Sequence, residues 1–277
     1  MTIDFLATDP PTEAVPPAST PAVTFTSAGA TLLGVLHVPA GPGPHPVVVL
    51  LHGFPGNERN FDLAQALRRA GYASLVFHYR GSWGVAGSWS WGNVLADART
   101  VVAAVREPDF AQAHRLDPGR LGVVGHSTGG FAALMTAAVD PAVRAVASVT
   151  AFDFGTAAGL SRADPAVRAA YVAAFDEELL PLRDTSGEAL VTEMEAAGDA
   201  WRLAGLASRL VDRPVLLVGA GRDPVTPAEV HHRPLVEAYR AAGLHRLEER
   251  ELPTDHALSD HRIALAVAVR DFLDRWL

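Results

Sequence analysis

The chain has 277 residues, 49% of them apolar, with a formal net charge of −8 and no cysteine. That length and composition can bury a sizeable core, and the missing Cys excludes disulfides, thiolate nucleophiles and Cys-ligated metals. An acidic balance without any clustered basic run argues against nucleic acid or an anionic membrane as partner. All 23 basic residues are Arg, which removes Schiff-base and P-loop lysine chemistry.

Residues 1–21 hold Pro10, Pro11, Pro16, Pro17 and Pro21 among small polar residues and read as a flexible, extended tail without a core role. The opening MTIDFLATDPP carries an Asp where a signal peptide needs basic residues before an apolar core, so a cytoplasmic location is expected. No 18-residue apolar run is present, and no membrane span is expected. Next, AVTFTS and LLGVLHV read as paired strands around Ala28-Gly29. PVVVLL (46–51) is a continuous apolar run, as expected of a strand buried on both faces.

A helix follows from about Phe61, with Leu63, Ala66, Leu67 and Ala70 on one face and Gly71 closing it. ASLVFHY (73–79) is the next strand, and Val94, Ala98, Val101, Val102 and Val105 form a helical stripe. Further strands are expected at 120–125, 144–152, 213–219 and 245–253, with helices at 128–139, 228–242 and 262–276. Strands alternating with helices of this length predict an α/β fold: a mostly parallel central sheet with helices on both faces. Ligands bind such sheets at the carboxyl ends of the strands. The loops after each strand are therefore where chemistry is to be sought.

The first such loop is GVVGHSTGGFAAL, whose Gly125-His126-Ser127-Thr128-Gly129 matches G-x-S-x-G between an apolar strand and an Ala-rich helix. That context is the one a nucleophile elbow requires. A serine hydroxyl needs a base and an orienting acid, which on this architecture follow in the order Ser, Asp or Glu, His. Asp223, just after the strand ending at Gly219, is the preferred acid; Asp153, in VTAFDFG, is the runner-up. The stretch LPTDHALSDHR holds two histidines after the last strand. His256, three residues past Pro253, is read as the base, and His261 as a helix-start or surface residue. Their spacing does not give the i,i+4 pair of a helical metal site. Attack on a carbonyl also needs two backbone N–H donors: Thr128, following the nucleophile, and Phe54, in the LLHGFPGN loop. His52 is read as a brace of that loop.

The ordered set HGFPG, GHSTGG, GRDPVTP, TDHALSD resembles the α/β-hydrolase superfamily from about residue 22 to 277. Within it, YRGSWGVAGSW and DHALSD are similar to bacterial esterases of the cinnamoyl/feruloyl type and to serine aminopeptidase and prolyl-oligopeptidase-like hydrolases. The resemblance implies a serine hydrolase needing no cofactor and no metal, with catalytic Ser127, Asp223 and His256. Ser82-Trp83-Gly84 stands where many relatives carry Gly-His-Gly, so the substrate class does not transfer. Trp83, Trp89 and Trp91 form either a substrate wall or loop packing. Arg80 is read as a loop brace before a substrate-carboxylate ligand.

Residues 152–211 interrupt the strand series and read as a helical cap between the two core segments, 22–151 and 212–277. Asp164-Pro165 would start one of its helices, and Thr185 with Glu188 would form a capping box for another. The expected activity is hydrolysis of a small-molecule carboxylic ester through an acyl-enzyme. The alternatives are an aminopeptidase-like amide hydrolase, for which Asp153, Asp176, Glu177 or Glu178 could hold a substrate ammonium, and a non-catalytic binding protein. A homo-oligomer is compatible with the sequence.

Overall fold

The computed structural model describes residues 4–9, 11 and 13–277. Pro10 of the predicted tail lies outside them. An eight-stranded sheet has the order β1-β2-β4-β3-β5-β6-β7-β8. Its strands are β1 (Ala22–Ser27), β2 (Ala30–His37), β3 (His45–Leu51), β4 (Ala73–Phe77), β5 (Leu116–His126), β6 (Val143–Val149), β7 (Val215–Ala220) and β8 (Leu247–Leu252). β1 and β2 form the expected antiparallel hairpin, and β2 joins β4 antiparallel. All pairings from β4 across to β8 are parallel. The helices are α1 (Phe61–Arg69), α2 (Trp91–Ala104), α3 (Pro108–Ala113), α4 (Thr128–Ala137), α5 (Phe154–Ala163), α6 (Pro165–Asp176), α7 (Gly187–Ala197), α8 (Ala207–Leu210), α9 (Ala228–His231), α10 (Arg233–Ala241) and α11 (Arg262–Trp276).

The continuous apolar run of β3 is explained by two cores. Val47, Val49 and Leu51 point into one, with α2 and α4; Val48 and Leu50 point into the other, with α1 and α11. Alternate side chains leave opposite faces of a strand, so both sets must be apolar when both faces are covered. No described helix is long and apolar enough to cross a membrane.

Several local expectations are corrected. The tail is not without a core role: Phe5 is buried against the α1/α11 core, and the Arg270 guanidinium lies 4.5 Å from its ring centroid. The helix expected over 228–242 divides at His232. Pro234 follows in the first turn of α10 and has no N–H to continue the ladder. α7 is capped by Ser186, which accepts from the Ala189 N–H at 3.1 Å, and not by Thr185. The Glu188 carboxylate pairs instead with Arg168 of α6 at 2.6 Å, tying the two helices together. Asp164 caps α6 with Pro165 in its first turn, as read from the sequence.

Acid should unfold this protein early. Burial pulls the imidazoles of His52 and His126 down to about 3 and that of His231 to about 4, so all three are neutral in the fold. In the unfolded chain they take up protons near the ordinary value of 6.5. Stability from these groups is fully present above that pH and is lost as pH falls below it. Each adds a slope of up to about 1.4 kcal/mol per pH unit. Urea midpoints should therefore drop steeply between pH 6.5 and 5; equal midpoints at the two pH values would contradict the burial argument.

Candidate active site

The site is assembled by loops leaving the carboxyl ends of β3, β5, β7 and β8. β5 runs into Ser127, whose backbone sits at φ 57°, ψ −122°, before α4 begins at Thr128. A non-glycine residue in this region is strained. The turn is held because the Ser127 N–H donates to the Val149 carbonyl at 2.8 Å, and because its flanks have no side chains. A Cβ on Gly125 would lie 1.9 Å from the Gly129 carbonyl oxygen, and one on Gly129 would lie 1.9 Å from that of Leu51.

After β7, Asp223 turns back on itself. Its Oδ1 accepts from the amides of Val225 and Thr226 at 2.8 and 2.9 Å, and its Oδ2 accepts from the Thr226 hydroxyl at 2.5 Å. The same Oδ2 accepts from His256 Nδ1 at 2.7 Å. Burial works against ionisation of this carboxyl, but the bonds from His256 and Thr226 outweigh it and hold its pKa below the ordinary range. The carboxylate thus fixes the tautomer of His256 with Nδ1 protonated, leaving Nε2 free to accept a proton. The His256 backbone is anchored too, its carbonyl accepting from His126 Nε2 at 2.8 Å, with the rings 5.0 Å apart.

Ser127 and His256 line one cavity of about 380 Å³, together with Gly53, Phe54, Phe175 and Val225. Among the described residues no hydrogen bond joins the Ser127 hydroxyl to His256. Thr128 opens α4, where its N–H has no intrahelical acceptor. Among the described residues the Phe54 N–H is also without a partner. His52, buried behind this loop, shares a 2.8 Å hydrogen bond with the Gly53 carbonyl through Nδ1, and so braces the loop as expected.

The tryptophans resolve differently from a substrate wall. None lines the cavity holding Ser127. Trp89 and Trp91 are 2% and 1% exposed, and both pack against Phe54, at 6.0 and 5.2 Å between ring centroids. They adjoin the cavity from behind its lining, both through Phe54 and Trp91 also through Phe175, 5.4 Å away between ring centroids. Trp83 donates from Nε1 to the Pro55 carbonyl at 2.8 Å, and its ring stacks with His78 at 6.2 Å between centroids and meets the Arg59 guanidinium at 4.7 Å. It holds the Phe54 loop from outside. Trp83→Phe keeps an aromatic ring, smaller than the indole, and loses this bond. With the Phe54 N–H as the expected oxyanion donor, it should lower kcat by roughly 10-fold with little change in KM, since that donor would be loosened while ground-state contacts stay. A rise in KM at constant kcat would mean that Trp83 touches substrate instead.

Other candidates are accounted for. Arg80 pairs with buried Asp97 at 2.7 Å and is a brace. Asp153 caps α5, and its two oxygens accept from the amides of Thr156 and Leu203, so it is engaged away from His256. His261 stands at the start of α11, paired with Asp260 at 2.8 Å. Sequence reasoning missed Thr226 and His126. Thr226 was legible as an Asp-x-x-Thr turn after a strand; His126 carried the clue of directly preceding the nucleophile.

Residues 46–213 match the family described as alpha/beta hydrolase fold, and the chain belongs to that family. It is 26% identical over 232 residues to an uncharacterized 31.7 kDa protein of the traX-finO intergenic region of Escherichia coli, covering 69% of this chain and 77% of that protein. The esterase Pf2001 of Pyrococcus furiosus shares the fold at a TM-score of 0.68 and 17% identity, covering 94% of this chain and 92% of that one. Est1E of Butyrivibrio proteoclasticus, with ferulic acid bound, aligns at a TM-score of 0.69 and 20% identity, over 92% and 99% of the two chains.

Proposed function

We propose that the protein is a serine hydrolase of carboxylic esters. The observation that carries the reading is the 2.7 Å bond from His256 Nδ1 to Asp223, with His256 and Ser127 lining one cavity. In this reading His256 Nε2 takes the hydroxyl proton as Ser127 Oγ attacks the ester carbon. The N–H groups of Phe54 and Thr128 stabilise the oxyanion. Collapse of the tetrahedral intermediate expels the alcohol, which receives the proton from His256, and leaves an acyl-Ser127. Water, deprotonated by His256, then releases the acid. Asp223 stays ionised throughout and stabilises the imidazolium.

Residues 152–211 act as a cap in this scheme, with Ala174, Phe175, Glu177 and Glu178 supplying one wall of the cavity. The apolar part of that wall suits an acyl or aryl group. Glu58, Glu177 and Glu178 on the same lining favour the second reading, an amide hydrolase that holds a substrate ammonium. Asp176 is excluded from that role because it accepts from the Gly187 amide at 2.6 Å.

A panel of p-nitrophenyl esters against aminoacyl p-nitroanilides separates the two. Ester turnover with kcat/KM at least about 100-fold above the anilides is the expected result; reversed preference would install the amidase reading. Activity toward neither would undo both.

A further inference from the structure

A second cavity, of about 390 Å³, opens at the other end of the sheet. Val143, Pro214 and Arg246, at or beside the starts of β6, β7 and β8, line it. Ser127, Asp223 and His256 follow the finishing ends of β5, β7 and β8. Six-residue strands at ~3.3 Å per residue put roughly 20 Å between the two ends.

Four arginines surround this second cavity: Arg144, Arg209, Arg213 and Arg246. They come from three separate segments, which is why no basic run announces them in the sequence. Among the described residues none of the four pairs with a carboxylate within 4.0 Å. Arg213 donates to the backbone carbonyls of Asp140 and Val143, and Arg246 to that of Asp212 at 3.3 Å. Arg246 also covers the Trp276 ring, 5.4 Å from its centroid. Arg144 and Arg209 have no hydrogen-bonding side-chain partner among the described residues. Asp212 is the single carboxylate of the lining; its side chain is 91% exposed, with His245 its nearest partner at 4.0 Å. Asp140, close by, is already paired with Arg106 at 2.9 Å.

Four guanidiniums against one carboxylate, in a chain of net charge −8, leave a local positive charge that the fold itself does not neutralise. Like-charge crowding shows at Arg213, whose pKa burial lowers and Arg144 lowers further, against the pull of Asp140. Planar guanidiniums present paired N–H donors that match the oxygens of phosphate groups. At about 30 Å³ per water the cavity has room for roughly a dozen waters, so a phosphate or diphosphate group fits.

We propose that this cavity is a binding site for a small phosphorylated anion, distinct from the ester site. Its ligand would be read by charge and oxygen geometry, with Arg213 fixed by its carbonyl contacts and Arg144, Arg209 and Arg246 closing on the anion.

The test is thermal unfolding of the full chain titrated with sodium pyrophosphate, orthophosphate or glycerol phosphate, against sodium chloride at matched ionic strength. Pyrophosphate should raise Tm saturably by about 2–5 °C, as expected for ligand at several times its Kd. The Arg144→Gln/Arg209→Gln double variant should lose at least half of that rise while keeping ester turnover, since neither residue is near Ser127. A rise with glycerol phosphate equal to that with pyrophosphate identifies a monoester ligand; a rise with orthophosphate alone identifies the free ion. Equal shifts with phosphates and chloride, or a full shift in the double variant, would overturn the proposal. Should the variant fail to fold, isothermal titration of the wild-type chain with pyrophosphate decides the question: saturable heat supports the site, and its absence means there is none.

Discussion

Ser127→Ala is expected to abolish ester turnover, lowering kcat by roughly 10³- to 10⁶-fold, while leaving the fold standing. The substitution removes only Oγ. Its Cβ is retained, in a niche so tight that a Cβ on Gly53 would lie 2.9 Å from it. Alanine meets the same φ of 57° as serine, so no new backbone strain enters. The elbow's hydrogen bond to Val149 is made by the backbone and also survives. Initial rates on a p-nitrophenyl ester and a urea unfolding curve check both halves. The unfolding midpoint should scarcely move. Retention of a tenth or more of wild-type kcat would show that Ser127 is not the nucleophile.

The second large effect is on stability. Gly129→Ala should cost about 3 kcal/mol or more, because the added methyl meets backbone and cannot be relieved by a rotamer change. Its Cβ would lie 1.9 Å from the Leu51 carbonyl oxygen and 2.7 Å from that of His52, where β3 hands over to the Phe54 loop. Either α4 or the end of β3 must move, and each carries part of the site. Gly205→Ala is the matched control, since a Cβ there meets nothing within 4 Å. Urea denaturation should separate the two variants clearly. Equal stability of Gly129→Ala and Gly205→Ala would mean that the elbow packs far more loosely than these distances require.

These expectations rest on features that differ in how plainly the sequence displayed them. The β3 run and the G-x-S-x-G turn were legible because local chemistry dictates them: a strand covered on both faces must be apolar throughout, and this elbow needs small flanks. Asp223 and His256 were legible through their order along the chain, which the parallel sheet converts into proximity. The roles of Trp83, Trp89 and Trp91 were not, because a tryptophan after a strand has the same sequence signature whether it faces a cavity or Phe54. Phe5 was hidden by its proline-rich neighbours, which carry no record of the α1/α11 surface it meets. The four-arginine cavity was equally hidden, since Arg144, Arg213 and Arg246 adjoin only once β6, β7 and β8 align.

In the proposed mechanism Ser127 becomes covalently acylated with His256 as its base. Active-site labelling with a fluorophosphonate, followed by peptide mass mapping, tests it most directly. One adduct per chain is expected on Ser127, nearly absent in His256→Ala. An unlabelled Ser127, an adduct on another residue, or labelling at an undiminished rate in His256→Ala would contradict it.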